Sequence, residues 1–186
     1  MITRNVRKIA KAPSVSRSCR KLEGDNPERR PPSSHRQKSA TVLAWLVQTD
    51  GNIVPFILRM TLAVVMFPHG AQMALGWFGG VGFKPTVAFF RKSGVPAPLA
   101  VLAIMTEFLG SLGLAVGLLT RVAALGIAAV MLVAIVVVHR QHGFFMNWYG
   151  TQQGEGFEYH VLALGLALAL VVSGGGGWAL DAVFAR

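Results

Sequence analysis

The sequence predicts an all-α integral membrane protein, a four-helix bundle with a re-entrant or interfacial segment between its first and second spans. Three observations predict it. The 186 residues are 53% hydrophobic and only 14% charged, with a mean hydropathy of +0.50, which is too apolar for a soluble domain of this size. Two apolar stretches, 99–119 and 122–138, stand back to back with only Thr120 and Arg121 between them. Each approaches the roughly 20 residues that an α-helix needs to cross about 30 Å of hydrocarbon, so together they read as a transmembrane hairpin. Clusters of aromatic residues with Lys, Gly and Pro flank the apolar runs, as they do where helices leave a bilayer.

The charge is unevenly placed. Residues 1–41 hold 11 of the 18 Lys and Arg and 3 of the 8 acids, so the basic pI of about 10.9 describes this stretch rather than the apolar body. Its Arg, Lys, Ser and Pro without apolar periodicity are the signature of a solvated, disordered tail, and nucleic-acid binding is not inferred from it. No apolar region of signal-peptide length occurs before Val42. Cys19 is the only cysteine, which excludes an internal disulfide and any thiolate metal or iron–sulfur site, so redox chemistry would need a bound cofactor or a partner.

Residues 42–186 form the expected membrane domain, with spans at about 53–75, 98–119, 121–139 and 157–173. A short apolar patch with Trp45 comes first, followed by Gln48-Thr49-Asp50-Gly51-Asn52, a stretch suited to a turn or helix cap. The first span has Pro55 in its first turn and Pro68 as a source of a kink. Gly76 to Lys84, rich in Gly and aromatics, leads to a short helix up to Lys92 that lies at the interface. Gly113 and Gly117 form a GxxxG pair in the second span, read as helix packing. The third span ends at His139, and the fourth is short and is broken by Gly174 to Gly177.

Polar side chains inside these spans are the candidate site. Counting 1.5 Å per residue places Arg59 and Glu107 at depths differing by about 9 Å, which predicts an Arg59–Glu107 pair within the bundle. The competing reading has Arg59 snorkelling to the headgroups and Glu107 protonated, bonded to the backbone or to Thr106. The same counting gathers His69, Gln72, His139, His142, Glu155, Glu158 and His160 at the opposite end. Such a gathering suits a ligand headgroup or a proton. Arg59, His69, Gln72, Glu107, Glu158 and His160 are the candidate ligand or proton-relay residues. With no HxxxH or HExxH pair, no metal site is expected, His139 and His142 being the nearest approach to one. A bis-histidine haem b using His69 with His139 or His160 is a reading the sequence disfavours.

In order, Arg59, Phe67-Pro68-His69-Gly70-Ala71-Gln72, Gly79-Gly80-Val81-Gly82-Phe83, Gly94-Val95-Pro96, Glu107-Phe108-Leu109-Gly110, Gly117-Leu118-Leu119-Thr120-Arg121, His142-Gly143-Phe144-Phe145, Glu155-Gly156-Phe157-Glu158-Tyr159 and Trp178-Ala179-Leu180-Asp181 follow one another. This succession, over about residues 52–184, resembles the DoxX family of small four-helix bacterial inner-membrane proteins. The resemblance implies a subunit of a membrane oxidoreductase system, the family being named from a subunit of an archaeal quinol oxidase. It also implies that Arg59, His69, Glu107 and Glu158 occupy the family's pattern positions. The family commonly has a lysine where this chain has Met73, which would alter any contact made there.

The leading expectation is a redox-system subunit that binds a quinone among apolar residues, with other subunits of the complex and the lipid bilayer as partners. The alternatives are a non-catalytic membrane anchor or assembly partner, and a pathway for a small solute or protons. The basic tail places the N terminus in the cytoplasm of an inner membrane, and four spans return the C terminus to the same side.

Overall fold

The computed structural model describes residues 42, 44–49 and 51–185. The basic stretch 1–41, and with it the expected disordered tail, lies outside the described residues. Those described are helical throughout their regular structure, with no strand. The elements are α1 (Val54–Leu75), α2 (Phe83–Lys92), α3 (Ala97–Val116), α4 (Thr120–Ala134), α5 (Glu158–Ser173) and a short α6 (Asp181–Phe184). The chain is an all-α membrane bundle.

Each helix begins and ends where local chemistry dictates. The Asn52 side-chain oxygen accepts from the Val54 N–H at 2.9 Å, and Pro55, which has no N–H to satisfy, occupies the first turn of α1. The helix runs through Pro68 and stops at Gly76, whose φ of 74° is left-handed. Residues 77–82 then fold back, with Gly82 N–H bonded to the Gln72 carbonyl at 3.1 Å. In α2 the Thr86 hydroxyl donates to the Gly82 carbonyl at 2.7 Å, tying the first turn to the loop. Lys84, Arg91 and Lys92 are exposed there along with Phe89, the mixture expected of a helix at a membrane surface.

Helices α1, α3 and α4 with its continuation to His142 are long and apolar enough to cross a membrane. Helix α5 is apolar, but its 16 residues extend about 24 Å, less than a full hydrocarbon core. In place of a straight end, α4 passes into a π-helical turn, Ile135–His139, and then a 3-10 turn, Arg140–His142. The wider turn turns His139 away from the register that a continuous α-helix would give it.

Helix α1 packs on α3, α3 on α4, α4 on α5 and α5 back on α1, closing a ring. Leu62, Met66, Leu114, Ile127, Met131 and Leu170 fill its centre. Lipid tails are as apolar as leucine, so helix association rests on close packing. Ala124 and Ala128 on α4, with Ala163 and Ala167 on α5, provide small surfaces for it. Val64, Leu102, Leu125, Leu162 and Val172 are exposed on the outside, where lipid would solvate them.

Gly70 shows how tight this packing becomes. A Cβ built there would lie 2.6 Å from both Cα and N of Phe108 and 2.8 Å from the carbonyl carbon of Glu107. The α1 and α3 backbones therefore touch beside Glu107. Gly117 of the GxxxG pair is packed as closely, a Cβ there lying 2.6 Å from Ala179 Cα, although its neighbour is the segment after α5 rather than another spanning helix. Gly117, at φ 72°, ends α3, while Gly113 accepts the Leu118 N–H at 2.9 Å in the same cap.

Candidate functional site

Polar side chains collect at two ends of the bundle, and the two collections differ in kind. At one end every arm of Arg59 is engaged. Nε donates to Gly175 O at 3.0 Å, Nη1 to Leu114 O at 2.9 Å and Ala115 O at 2.7 Å, and Nη2 to Trp178 O at 2.7 Å. Leu114 and Ala115 lie in the last turn of α3, whose carbonyls have no partner within the helix and carry the negative end of its dipole. A buried guanidinium with its donors in a fixed fork answers both needs.

This arrangement overturns the expected Arg59–Glu107 pair. Glu107 stands seven residues before Leu114, about 10 Å further along α3, and no ion pair joins it to a cation among the described residues. Equal depth was the wrong criterion, because the unpaired carbonyls at the α3 terminus lie nearer the guanidinium. Arg59 does not snorkel either, being 1% exposed.

Arg121 repeats the device. Its Nη1 donates to Val171 O, in the last turn of α5, at 2.9 Å, its Nη2 to Gln48 O at 3.2 Å, and its guanidinium lies over Trp45 at 4.4 Å. Asp181 completes the knot from the other polarity. It accepts the Leu119 N–H at 2.7 Å and the Thr120 N–H at 2.8 Å, capping α4 from far along the chain. Its own N–H donates to Gly117 O at 2.9 Å. Sequence reasoning missed this role. The available signal was that α4 starts within Leu119-Thr120-Arg121 with no acid or Asn just before it. Asp181→Asn should lower the thermal midpoint in detergent by the equivalent of about 1–2 kcal/mol, since the amide keeps the shape and loses the charge at the helix start. An unchanged midpoint would remove the cap from the account.

The second collection lies at the other end. His69 on α1, Glu107 on α3, His139 in the π-helical turn, and Tyr159 and His160 at the start of α5 converge there. The His69 and Tyr159 rings are 5.8 Å apart between centroids, Tyr159 and His160 5.3 Å, and His139 and His160 4.0 Å. Glu107 is buried on α3, beside the residue whose backbone meets Gly70 of α1. The Tyr159 hydroxyl and His160 Nδ1 are buried without a hydrogen-bond partner among the described residues. Buried polar atoms are normally satisfied, so these two are open to a ligand or solvent partner, as Thr120 Oγ1 and Arg121 Nε are at the other end.

Other candidates turn out to hold loops. Gln72 donates from Nε2 to Phe78 O at 3.1 Å, and Glu158 accepts the Met146 N–H at 3.4 Å. Glu155, expected at the mouth, accepts the Asn147 N–H at 2.9 Å. His142 Nε2 lies 3.3 Å from Gln141 Nε2, and His139 Nδ1 donates to Glu155 O at 2.9 Å. Among the described residues no three His, Cys, Asp or Glu side chains are grouped to hold a metal.

Residues 54–140 match the family model described as DoxX. This stretch, just under half of the chain, is similar to DoxX. The match spans α1 to the end of the π-helical turn, a shorter range than residues 52–184, and α5 with the Asp181 cap follows it. A Bacillus subtilis (strain 168) protein named "Putative oxidoreductase CatD" is 27% identical over 117 residues, covering 63% of this chain and 78% of that protein. No solved structure matches. The stretch similar to DoxX contains Arg59, His69, Glu107 and His139, while Tyr159, His160 and Asp181 come from the segment after it.

Proposed function

We propose that this DoxX-like protein is the membrane-embedded subunit of a quinone-linked oxidoreductase, placed in a bacterial inner membrane with both termini in the cytoplasm. The observation that carries the reading is the pair of buried polar atoms without a hydrogen-bond partner, the Tyr159 hydroxyl and His160 Nδ1, in a bundle that also buries Glu107. A quinone needs an apolar slot for its ring and hydrogen-bonding groups at its carbonyl oxygens, and its two-electron reduction takes up two protons. Glu107, Tyr159 and His160 are the groups of this chain suited to hold those oxygens and exchange those protons. Electrons would come from a partner subunit, because a single cysteine offers no dithiol. Similarity to a protein named as an oxidoreductase supports the same direction.

Purified in mild detergent, the wild-type protein is expected to carry a quinone identifiable by absorbance and mass spectrometry. Glu107→Gln is expected to lower its content of the reduced, quinol form about tenfold, through loss of the charge-assisted hydrogen bond that a carboxylate accepts from a quinol hydroxyl. Protein free of quinone, together with unchanged quinol-linked electron flow in the variant, would sink the proposal.

One observation favours a second reading. The Arg59, Arg121 and Asp181 knot is a purely structural fastening, as an assembly partner without its own chemistry would need. Under that reading Glu107→Gln would weaken complex formation and leave quinone content unchanged.

A further inference from the structure

We propose that α2 and the loop before it form a docking surface for anionic phospholipid, in which Lys84, Arg91 and Lys92 take headgroup phosphates and the aromatic side chains beside them enter the acyl boundary. The inference is independent of the quinone reading, since it concerns what surrounds the bundle and uses none of the histidines, Glu107 or Tyr159.

Charge along the sequence comes first. Residues 51–106 contain no Asp or Glu, so the three exposed cations of α2 have no acid near them in the chain. Among the described residues none of the three is held by a carboxylate, in contrast to Arg59 and Arg121, whose guanidinium groups are spent on backbone carbonyls. At 3.6 residues per turn, Lys84 and Arg91 lie about 20° apart around the helix axis and Lys92 about 80° from Lys84. Thr86, the buried residue of α2, lies about 200° from Lys84. The cations therefore share the face turned away from the bundle.

Position decides what can meet that face. Helix α2 lies between two spans, joined to α1 by residues 76–82 and to α3 by residues 93–96. The second connection is folded, the Gly94 and Val95 N–H groups donating to the Arg91 and Phe90 carbonyls at 3.1 and 2.9 Å. Leu99 and Leu102, in the first turns of α3, are exposed to lipid, so the basic end of α2 stands at headgroup depth beside them. The loop is built rather than slack. Phe78 is held left-handed at φ 53°, its carbonyl accepting from Gln72 Nε2 at 3.1 Å, while its ring and that of Trp77 stay exposed. Phe89 is exposed on α2 itself. An acidic protein would call for the cations alone. Rings interleaved with cations at this depth match a bilayer surface, where each Lys or Arg near anionic lipid strengthens association about fivefold.

The test places the full chain in nanodiscs of zwitterionic phosphatidylcholine with a minor share of phosphatidylglycerol, Trp77 being its only tryptophan after Trp45→Phe, Trp148→Phe and Trp178→Phe. Bromine on an acyl chain quenches a nearby indole. Quenching by brominated phosphatidylglycerol, divided by that from an equal amount of brominated phosphatidylcholine, gives the enrichment of anionic lipid at Trp77. An enrichment of about threefold or more is expected, falling to about one in Lys84→Gln/Arg91→Gln/Lys92→Gln. Lys84→Arg/Arg91→Lys, which keeps both charges, should retain it. The basic stretch 1–41 is the same in every variant, so lipid it attracts does not enter the change. The three cations are on the surface, thermal midpoints confirm folding, and Arg91→Gln/Lys92→Gln serves if the triple variant fails to fold. Equal quenching by the two lipids with α2 unsubstituted, or an enrichment unchanged in a folded glutamine variant, overturns the proposal and leaves the cations to an acidic protein partner.

Discussion

Arg59→Met is expected to be the most damaging single change in the chain, costing about 4 kcal/mol or more. Methionine fills part of the same volume but donates nothing, so the carbonyls of Leu114, Ala115, Gly175 and Trp178 lose their shared partner in a place where 1% of the original side chain meets solvent. Each stranded acceptor costs about 1–3 kcal/mol. Arg59→Lys should recover less than half of the loss, because an ammonium on a flexible stem cannot present a planar fork to four acceptors. The measurement is the fraction folded against increasing SDS in mixed micelles. A methionine variant as resistant as the wild type would show that the carbonyls find other partners, and the fastening account would fall.

Gly70→Ala is the second large effect. The added carbon would stand 2.6 Å from the backbone of Phe108, where no side-chain rotation relieves it, so α1 and α3 must move apart. Overpacking of this kind costs about 1–3 kcal/mol. Because the contact adjoins Glu107, the displacement also moves that buried carboxyl. Quinone content should fall together with the thermal midpoint in Gly70→Ala, whereas Asp181→Asn should lower the midpoint and leave bound quinone in the folded fraction unchanged. An alanine variant matching the wild type in both measurements would refute the close crossing.

Much of this architecture is readable from residue order. Hydropathy runs of the right length placed α1, α3 and α4 to within a few residues, and Gly76, Gly117 and Gly174 mark three helix ends. Depth counting brought His69, His139 and His160 to one end, where their rings do come close to one another and to Tyr159. Counting along an axis gives height and says nothing of azimuth. It therefore paired Arg59 with the acid nearest in height and passed over backbone carbonyls, which every sequence carries alike. Tyr159 was missed as a site residue because a tyrosine at a span end reads as an interface anchor. The π-helical turn at Ile135–His139 leaves no compositional trace. Gln72, Glu155 and Glu158 bond to loop backbone, a contact sequence could not show, since polar residues near a ligand site and polar residues holding its loops look the same there.

The fastening around Arg59 sets an order of events during synthesis. Two of its partners, Leu114 and Ala115, are made 55 and 56 residues later, and the other two, Gly175 and Trp178, 116 and 119 residues later. At about 5–20 residues per second the second pair arrives roughly 6 to 24 s after Arg59 itself. Throughout that interval the first span carries a cation that is costly in hydrocarbon, by about 2.5–3.5 kcal/mol on insertion scales. The first span to be made is thus the last to be secured, and nascent chains are most open to quality-control proteases before residues 175–181 reach the bundle.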